Sequence, residues 1–412
     1  METGAVTAVM DRANGRIFLF SYLLVYFAAP VTYIGVVQAV LCDKLGTGAT
    51  VANLPFAAYQ AGQFAPIILA WLTPHRLERP MVVWSNGLNA GTLFAVALAL
   101  VLPAPVWLRI GVLILQGLIQ GLASSASQVF MLQCLNRGTT LAGRARALKY
   151  TFALGPLSAV LGSLGAQYVL NPGFRGLPYP YDFALLYLVG VPCMAGVALL
   201  SRGYQLLPLD DEPRQPLFRF LNMSIRDYAT SRPLLLMWFA YLFWNCSIGG
   251  LGNLSLYARQ ALGRDPKDFS GLMMALRFGC KSLGGYALGA IALRLGLRAS
   301  ALASVAFAGA GMIWGWLVPG YAYLFAFGLL GAGELGGMYI PNCTLALSSL
   351  ASGTRNLSLL TLATPVSGIA ATVHGALADR FGFPASFAFG LATAVLAFLL
   401  ILRIPKPEST KQ

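Results

Sequence analysis

The sequence predicts an all-helical (all-α) membrane protein, with twelve transmembrane helices in two pseudo-symmetric six-helix bundles. Three observations carry that prediction. Only 10% of the 412 residues are charged while 57% are hydrophobic, too little polar surface to solvate a water-soluble chain of this size. Apolar segments long enough to cross about 30 Å of hydrocarbon recur along the whole chain. The second half of the chain also repeats features of the first.

The apolar segments run over 17–40, 50–73, 81–103, 107–134, 147–170 and 182–201, and then over 233–258, 269–293, 299–319, 321–347, 356–378 and 384–404. They fall into two sets of six, numbered here as spans 1 to 12. Between the sets lies the longest polar stretch, 202–232, which is the only dense cluster of mixed charge. The expected organisation is therefore a bundle over 1–201, a cytoplasmic linker over 202–232 and a second bundle over 233–412. The middle of the linker, Phe218 to Tyr228, is expected to form a short surface helix, too short and too polar to span.

The repeat is visible at the level of residues. RALKYTFALGPLSAVLGSLGAQ from Arg146 is matched 209 residues later by RNLSLLTLATPVSGIAATVHGAL from Arg355. This register aligns Pro156 with Pro365 and Ser158 with Ser367. GLIQGLA from Gly117 likewise matches GLLGAGE from Gly328. Duplication of this kind builds two related halves around a central site.

The formal net charge of +14 does not point to nucleic acid, because Lys and Arg are strung singly between apolar runs. Their distribution orients the chain instead. With both termini cytoplasmic, the inner tails and loops hold 19 basic residues and the opposite loops seven, which is the positive-inside pattern. An integral, multi-pass protein of the cell (inner) membrane is expected, with the lipid bilayer as its partner and a monomer as its working unit. The first 16 residues lack the plan of a cleaved secretory signal, so span 1 is expected to be retained. Six scattered cysteines show no disulfide framework and no metal spacing. Neither a phosphate loop nor a hydrolase or metalloprotease motif is present. No enzyme activity, cofactor or metal is expected.

Span 8 carries the feature that organises the functional reading. Arg277 and Lys281 lie four residues apart, on one helical face, roughly 12 and 18 Å from Phe269 at about 1.5 Å per residue. Both fall near the middle of the membrane, where an ionised side chain is costly and ordinarily faces a bundle interior or a watery cavity. Glu334 is the acidic residue clearly deep in a span; it lies 13 residues past Tyr321, about 20 Å down, level with Lys281. Opposite charges at one depth suit an ion pair joining spans 8 and 10. Two cations against one carboxylate leave a surplus positive charge, which suits an anionic solute or a charge relay. The sequence alone leaves both readings open. His374, near the outer end of span 11, is expected to be hydrated.

The twelve spans, the six-plus-six repeat and the central linker resemble the major facilitator superfamily over nearly the whole chain. The most specific local match is the cytoplasmic loop between spans 8 and 9, where Gly289, Arg294, Gly296 and Arg298 are similar to the family's G-x-L-a-D-r-x-G-r motif, with Leu293 at the aspartate position. The first-half equivalent, 70–79, departs further, with Pro74 and Leu77 at the aspartate and glycine positions. Gly375 to Phe387, containing Asp379, Arg380 and Gly382, resembles the connection after span 11. The resemblance implies that spans 1, 4, 7 and 10 line a central path opening alternately to either side. Tyr33, Gln38, Gln120, Asn245 and Tyr339 lie on those spans and join Arg277 and Lys281, singled out above by their charge, as expected substrate contacts, with Glu334 as the expected coupling residue. The expected activity is secondary active transport of a small polar, anionic organic solute, coupled to protons or sodium. Efflux of lipophilic compounds is the alternative within transport, suggested by Gly155-Pro156 with Gly162 and Gly165. A nontransporting receptor or scaffold of the same fold is the alternative outside it.

Overall fold

The computed structural model describes residues 6–72, 78–170, 177–207, 216–347, 356 and 359–404. The first-half loop residues Pro74 to Leu77 and the repeat residue Arg355 lie outside them. Among the described residues the secondary structure is helical throughout, with no strand. Among the described residues, eight helical stretches, some continuing across a break, are long and apolar enough to cross a membrane. Large apolar side chains such as Trp84, Trp107, Leu161 and Leu283 point outward, as a lipid solvent permits. The chain is a multi-pass membrane protein.

Several predicted spans are not continuous helices. Span 1 is Ala8–Phe27, Ala29–Thr32 and Val36–Lys44; span 2 is Ala49–Gly62 and Ala65–Leu72. Span 7 is Arg232–Ile248 followed by Leu251–Leu262, and span 10 is Phe325–Gly333 followed by Gly336–Ala346. The remaining spans are Glu78–Val101, Val106–Gly138, Leu141–Leu170, Tyr181–Ser201, Ser270–Leu295, Leu297–Leu317, Ala363–Phe381 and Phe383–Leu402. The linker carries the helix Leu217–Thr230, close to the predicted one. Phe218 and Ile225, seven residues apart, are exposed, while the Tyr228 hydroxyl donates to the Asn356 carbonyl (2.8 Å) and ties the helix to the second half.

A broken helix frees backbone carbonyls that hydrocarbon cannot satisfy. In span 1 the break turns on Gly35, whose φ of +145° suits glycine and strains other residues. Glutamines fill the gap. Gln38 donates to the Val31 carbonyl (3.1 Å) and accepts from the Gly35 N–H (3.1 Å). Gln116 also reaches Val31 (3.3 Å), and Gln120 donates to the Thr32 carbonyl (3.0 Å). Span 10 is repaired from span 7, where the Trp244 indole N–H donates to the Gly333 carbonyl (3.0 Å).

Two large apolar cores result, with a small third cluster of Ile34, Phe56 and Ala371 between the halves. One draws almost entirely on residues after the linker, with Tyr26, Ala29, Val36 and Ala159 added; the other draws on residues before it, with Leu256 and Ala378 added. They meet where span 2 lies along span 11 and span 5 along span 8.

Among the described residues, several polar contacts joining spans 1–6 to spans 7–12 lie in the half of the molecule distal to the termini. Asp379 accepts from the Ala49 and Thr50 N–H groups (both 2.8 Å), capping the start of span 2 from the end of span 11. Asp43 pairs with Arg259 (2.5 Å), Lys44 with Asp265, and Lys267 with Asp182. Gln167 accepts from the Gly271 and Leu272 N–H groups (2.9 and 3.1 Å). Deeper in, Asn53 donates to Asn253 (2.6 Å). The distal face is therefore closed by polar contacts.

Burial alone would raise the Asp265 carboxyl. The Lys44 ammonium, the Lys267 N–H and Arg259 outweigh it and hold that carboxyl below its ordinary value of 3.8. A depressed carboxylate pKa makes its contact present at neutral pH and lost only as pH falls through the lowered value. Spin labels at Thr47 and Arg264 are expected to keep one short distance from neutral pH down to about pH 5. A longer distance emerging within that range contradicts the assignment.

Candidate functional site

Span 8 meets two helix breaks at its middle. Glu334 follows directly on Gly333, at the break of span 10, with its N–H still bonded to the Leu330 carbonyl (2.8 Å). Its carboxylate is shared: one oxygen accepts from Arg277 Nε and the other from Lys281 Nζ (3.0 Å). The three side chains are 6%, 18% and 8% exposed for Arg277, Lys281 and Glu334 respectively. Close approach of the two spans depends on Gly331. A Cβ there would lie 1.9 Å from the Arg277 carbonyl oxygen, so a side chain would push Glu334 away from its partners.

From the other half comes Tyr33, in the break of span 1. Its ring lies 5.9 Å from the Arg277 guanidinium carbon and 5.7 Å from Lys281 Nζ, within cation–π range. It stands edge-on to Phe278 (5.1 Å, 88°) and stacks on Tyr26 (6.0 Å, 20°). Tyr59 of span 2 stacks on Phe56 nearby (6.4 Å, 22°). A small cavity of about 40 Å³ begins at Tyr33 and Tyr59 and extends to Asn86, Asn89, Ser124 and Gln128 inside the first bundle. The cluster thus has an aromatic wall and, behind it, a lining of amides and hydroxyls.

The other sequence-predicted site residues fall elsewhere. Gln38 and Gln120 are buried and use their amides on the backbone of the span 1 break, as described above. Asn245 donates to the Tyr241 carbonyl one turn back (2.9 Å), and Tyr339 is buried in the core built from residues after the linker. In the 8–9 loop, Gly296 has φ +89° and connects the two spans, while Arg294 is exposed in the last turn of span 8. Arg298 donates to the Ile401 and Leu402 carbonyls (3.1 and 2.6 Å), closing the end of span 12. Gly289 lies beside Tyr339. The 11–12 connection has the matching turn at Gly382, φ +85°, and Asp379 there supplies the acidic contact whose position Leu293 occupies in the 8–9 loop.

His374 corrects an expectation. It is fully buried, with ring nitrogens bonded to the Ser386 hydroxyl (2.8 Å) and the Cys246 carbonyl (3.0 Å). Asn253 joins this network by donating to the His374 carbonyl (2.7 Å) and the Ser386 hydroxyl (2.8 Å). The sequence places His374 near a helix end, but that end is covered by spans 7 and 12. Asn86 and Asn89, three residues apart in an apolar span, are functional candidates that span-by-span reading passes over. Their spacing on one helical face is the available signal.

Several solved structures share the architecture. A mutant form of the nucleoside transporter NupG superposes with a TM-score of 0.70 at 12% identity, covering 96% of this chain and 98% of that one. A D-xylose–proton symporter gives 0.64 at 11% identity, with 97% of each chain covered. A bacterial homologue of the human lysosomal transporter Spinster, inward-facing and unoccupied, gives 0.63 at 15% identity, covering 96% and 95%. No known family model matches the sequence, and no curated protein matches it. The chain has the major facilitator fold, with twelve spans in two six-helix bundles.

Removing one member of a buried ion pair leaves its partner uncompensated, at a cost of about 3–5 kcal/mol. Glu334→Gln is expected to lower stability by that order in denaturant unfolding of the detergent-solubilised protein. Gln120→Leu, which strands the Thr32 carbonyl, is expected to cost less, about 1–3 kcal/mol. An unchanged midpoint for Glu334→Gln contradicts the shared carboxylate.

Proposed function

We propose that the protein is a secondary active transporter that moves a small polar, anionic organic solute by alternating access. One observation carries the reading: Arg277 and Lys281 share a single buried carboxylate partway along spans 8 and 10, beside the breaks of spans 1 and 10. Discontinuous helices at the midplane of a duplicated transporter fold are where such proteins bind solute and coupling ions. The cluster holds two positive groups and one negative, so a bound anion completes its charge. An anion about 4 Å from the surplus cation gains about 4 kcal/mol at an effective dielectric of about 20. Arg277 offers a fork suited to carboxylate or phosphate, and Lys281 a mobile point charge. Tyr33 and Tyr59 give the solute an aromatic face.

Glu334 provides the coupling. Protonating it removes the internal counter-ion and leaves both cations for the solute, so a proton and an anion bind better together than apart. Sodium at the same carboxylate is the competing coupling ion. The excess of basic residues on the terminal side supports cytoplasmic termini. With that orientation, the distal contacts of Asp43, Lys44 and Asp379 lie on the outer face, which supports reading the conformation as inward-directed.

The test is uptake of radiolabelled organic anions into proteoliposomes with an imposed pH or sodium gradient. Arg277→Gln and Lys281→Gln are expected to reduce uptake by about tenfold or more, the loss of a charge-assisted contact, and Glu334→Gln to abolish the response to the driving gradient while solute exchange persists. Normal uptake by all three variants contradicts the site. Uptake of neutral lipophilic compounds, unaffected by Arg277→Gln, supports efflux of such compounds instead.

A further inference from the structure

The terminal-side ends of spans 1 and 5 enclose a groove of about 270 Å³, separate from the charged cluster. Arg12, Arg16 and Leu19 form one wall, and Arg146 and Tyr150 the other. All three arginines are exposed. The acidic residue lining the groove, Asp11, is already engaged: its carboxylate accepts from the Thr140 N–H (2.7 Å) and hydroxyl (3.1 Å). Arg12 uses its Nε on the Ala8 carbonyl of its own helix (3.1 Å). The groove therefore holds a strong excess of guanidinium groups.

What lies below it decides the ligand. Continuing from Arg146 at steps of three or four residues, Tyr150, Leu154, Leu157, Leu161 and Leu164 are all exposed, between 40% and 65%. These spacings put them on one face of span 5. From Arg16 on span 1, Phe20 is exposed one turn further and Phe27 two turns beyond that. The arginines thus stand at the head of two apolar stripes that run into the hydrocarbon. A soluble anion would engage only the head of such a surface, whereas a phospholipid engages all of it.

We infer that this groove binds the phosphate of an anionic phospholipid, with the acyl chains laid along the exposed stripes of spans 1 and 5. Guanidinium groups hold phosphate oxygens in pairs of parallel hydrogen bonds. Basic clusters at the membrane surface favour anionic lipids in proportion to their number. The Tyr150 ring sits at the level between headgroup and chain, where aromatic residues concentrate. The lipid would bridge spans 1 and 5 on the side of the molecule opposite the distal contacts.

Native mass spectrometry of the purified full-length protein, titrated with phosphatidylglycerol and with phosphatidylcholine, tests the inference. The wild type is expected to bind phosphatidylglycerol about tenfold more tightly or better, as several basic groups near one anionic headgroup imply, and millimolar inorganic phosphate is expected not to displace it. Arg12→Gln/Arg16→Gln/Arg146→Gln should abolish the preference. The single variant Arg146→Gln should weaken it several-fold, and Arg403→Gln, an exposed arginine just past the end of span 12 and outside the groove, should leave it intact. Equal binding of the two lipids by the wild type, or a preference retained in the triple and single groove variants, overturns the inference. Displacement by inorganic phosphate overturns it in favour of a soluble-anion site.

Discussion

Ionised side chains in a hydrocarbon slab must be neutralised locally, and that demand accounts for much of the architecture around Arg277, Lys281 and Glu334. Moving such ions out of water costs several kcal/mol each even after relaxation, and the attraction between them offsets this only when the geometry is close. Closeness requires span 10 to lie against span 8, which Gly331 permits by presenting no side chain to the Arg277 backbone. It also places Glu334 where the helix is already interrupted. The interruption leaves the Gly333 carbonyl to be satisfied from outside, and Trp244 does so from span 7. The break in span 1 mirrors this, with glutamines of spans 1 and 4 in the role of the indole.

The charged cluster and the distal contacts act on different scales. The cluster lies within the second half and meets the first half through the aromatic rings of Tyr33 and Tyr26. The distal contacts join the halves directly, yet polar contacts between membrane helices average only about 0.6 kcal/mol each. A handful of such bonds can close one face and still be exchanged for others. The alternating access proposed above needs an interface of that kind, a few weak bonds at one end beside a charged cluster that touches the opposite half.

Much of this is legible in the sequence, because a bilayer imposes a coarse and strict code. Span count, duplication and the exceptional status of Arg277, Lys281 and Glu334 all follow from the cost of polarity in hydrocarbon. The sharing of Glu334 by both cations is the ion-pair reading that depth along the helix offers. The breaks are not legible in the same way. A window of apolar residues looks the same whether or not a few of them leave the helix, and the φ of Gly35 is set by packing. Gln38 and Gln120 consequently read as solute contacts when their amides serve freed carbonyls. His374 misleads for a related reason: distance from a helix end does not reveal that neighbouring spans cover it. Asp379 has a role carried by contacts across 330 residues of chain, which no local pattern encodes.

Anion binding depends on the surplus positive charge of the central cluster, and Lys281→Met removes that surplus while leaving the Arg277–Glu334 pair. The most direct measurement is therefore thermal stabilisation of purified wild-type and Lys281→Met protein across a panel of anionic, neutral and cationic organic solutes. Particular anions are expected to stabilise the wild type and fail to stabilise the variant, while neutral and cationic solutes act alike on both. Stabilisation of Lys281→Met by the same anions to the same extent would contradict that dependence.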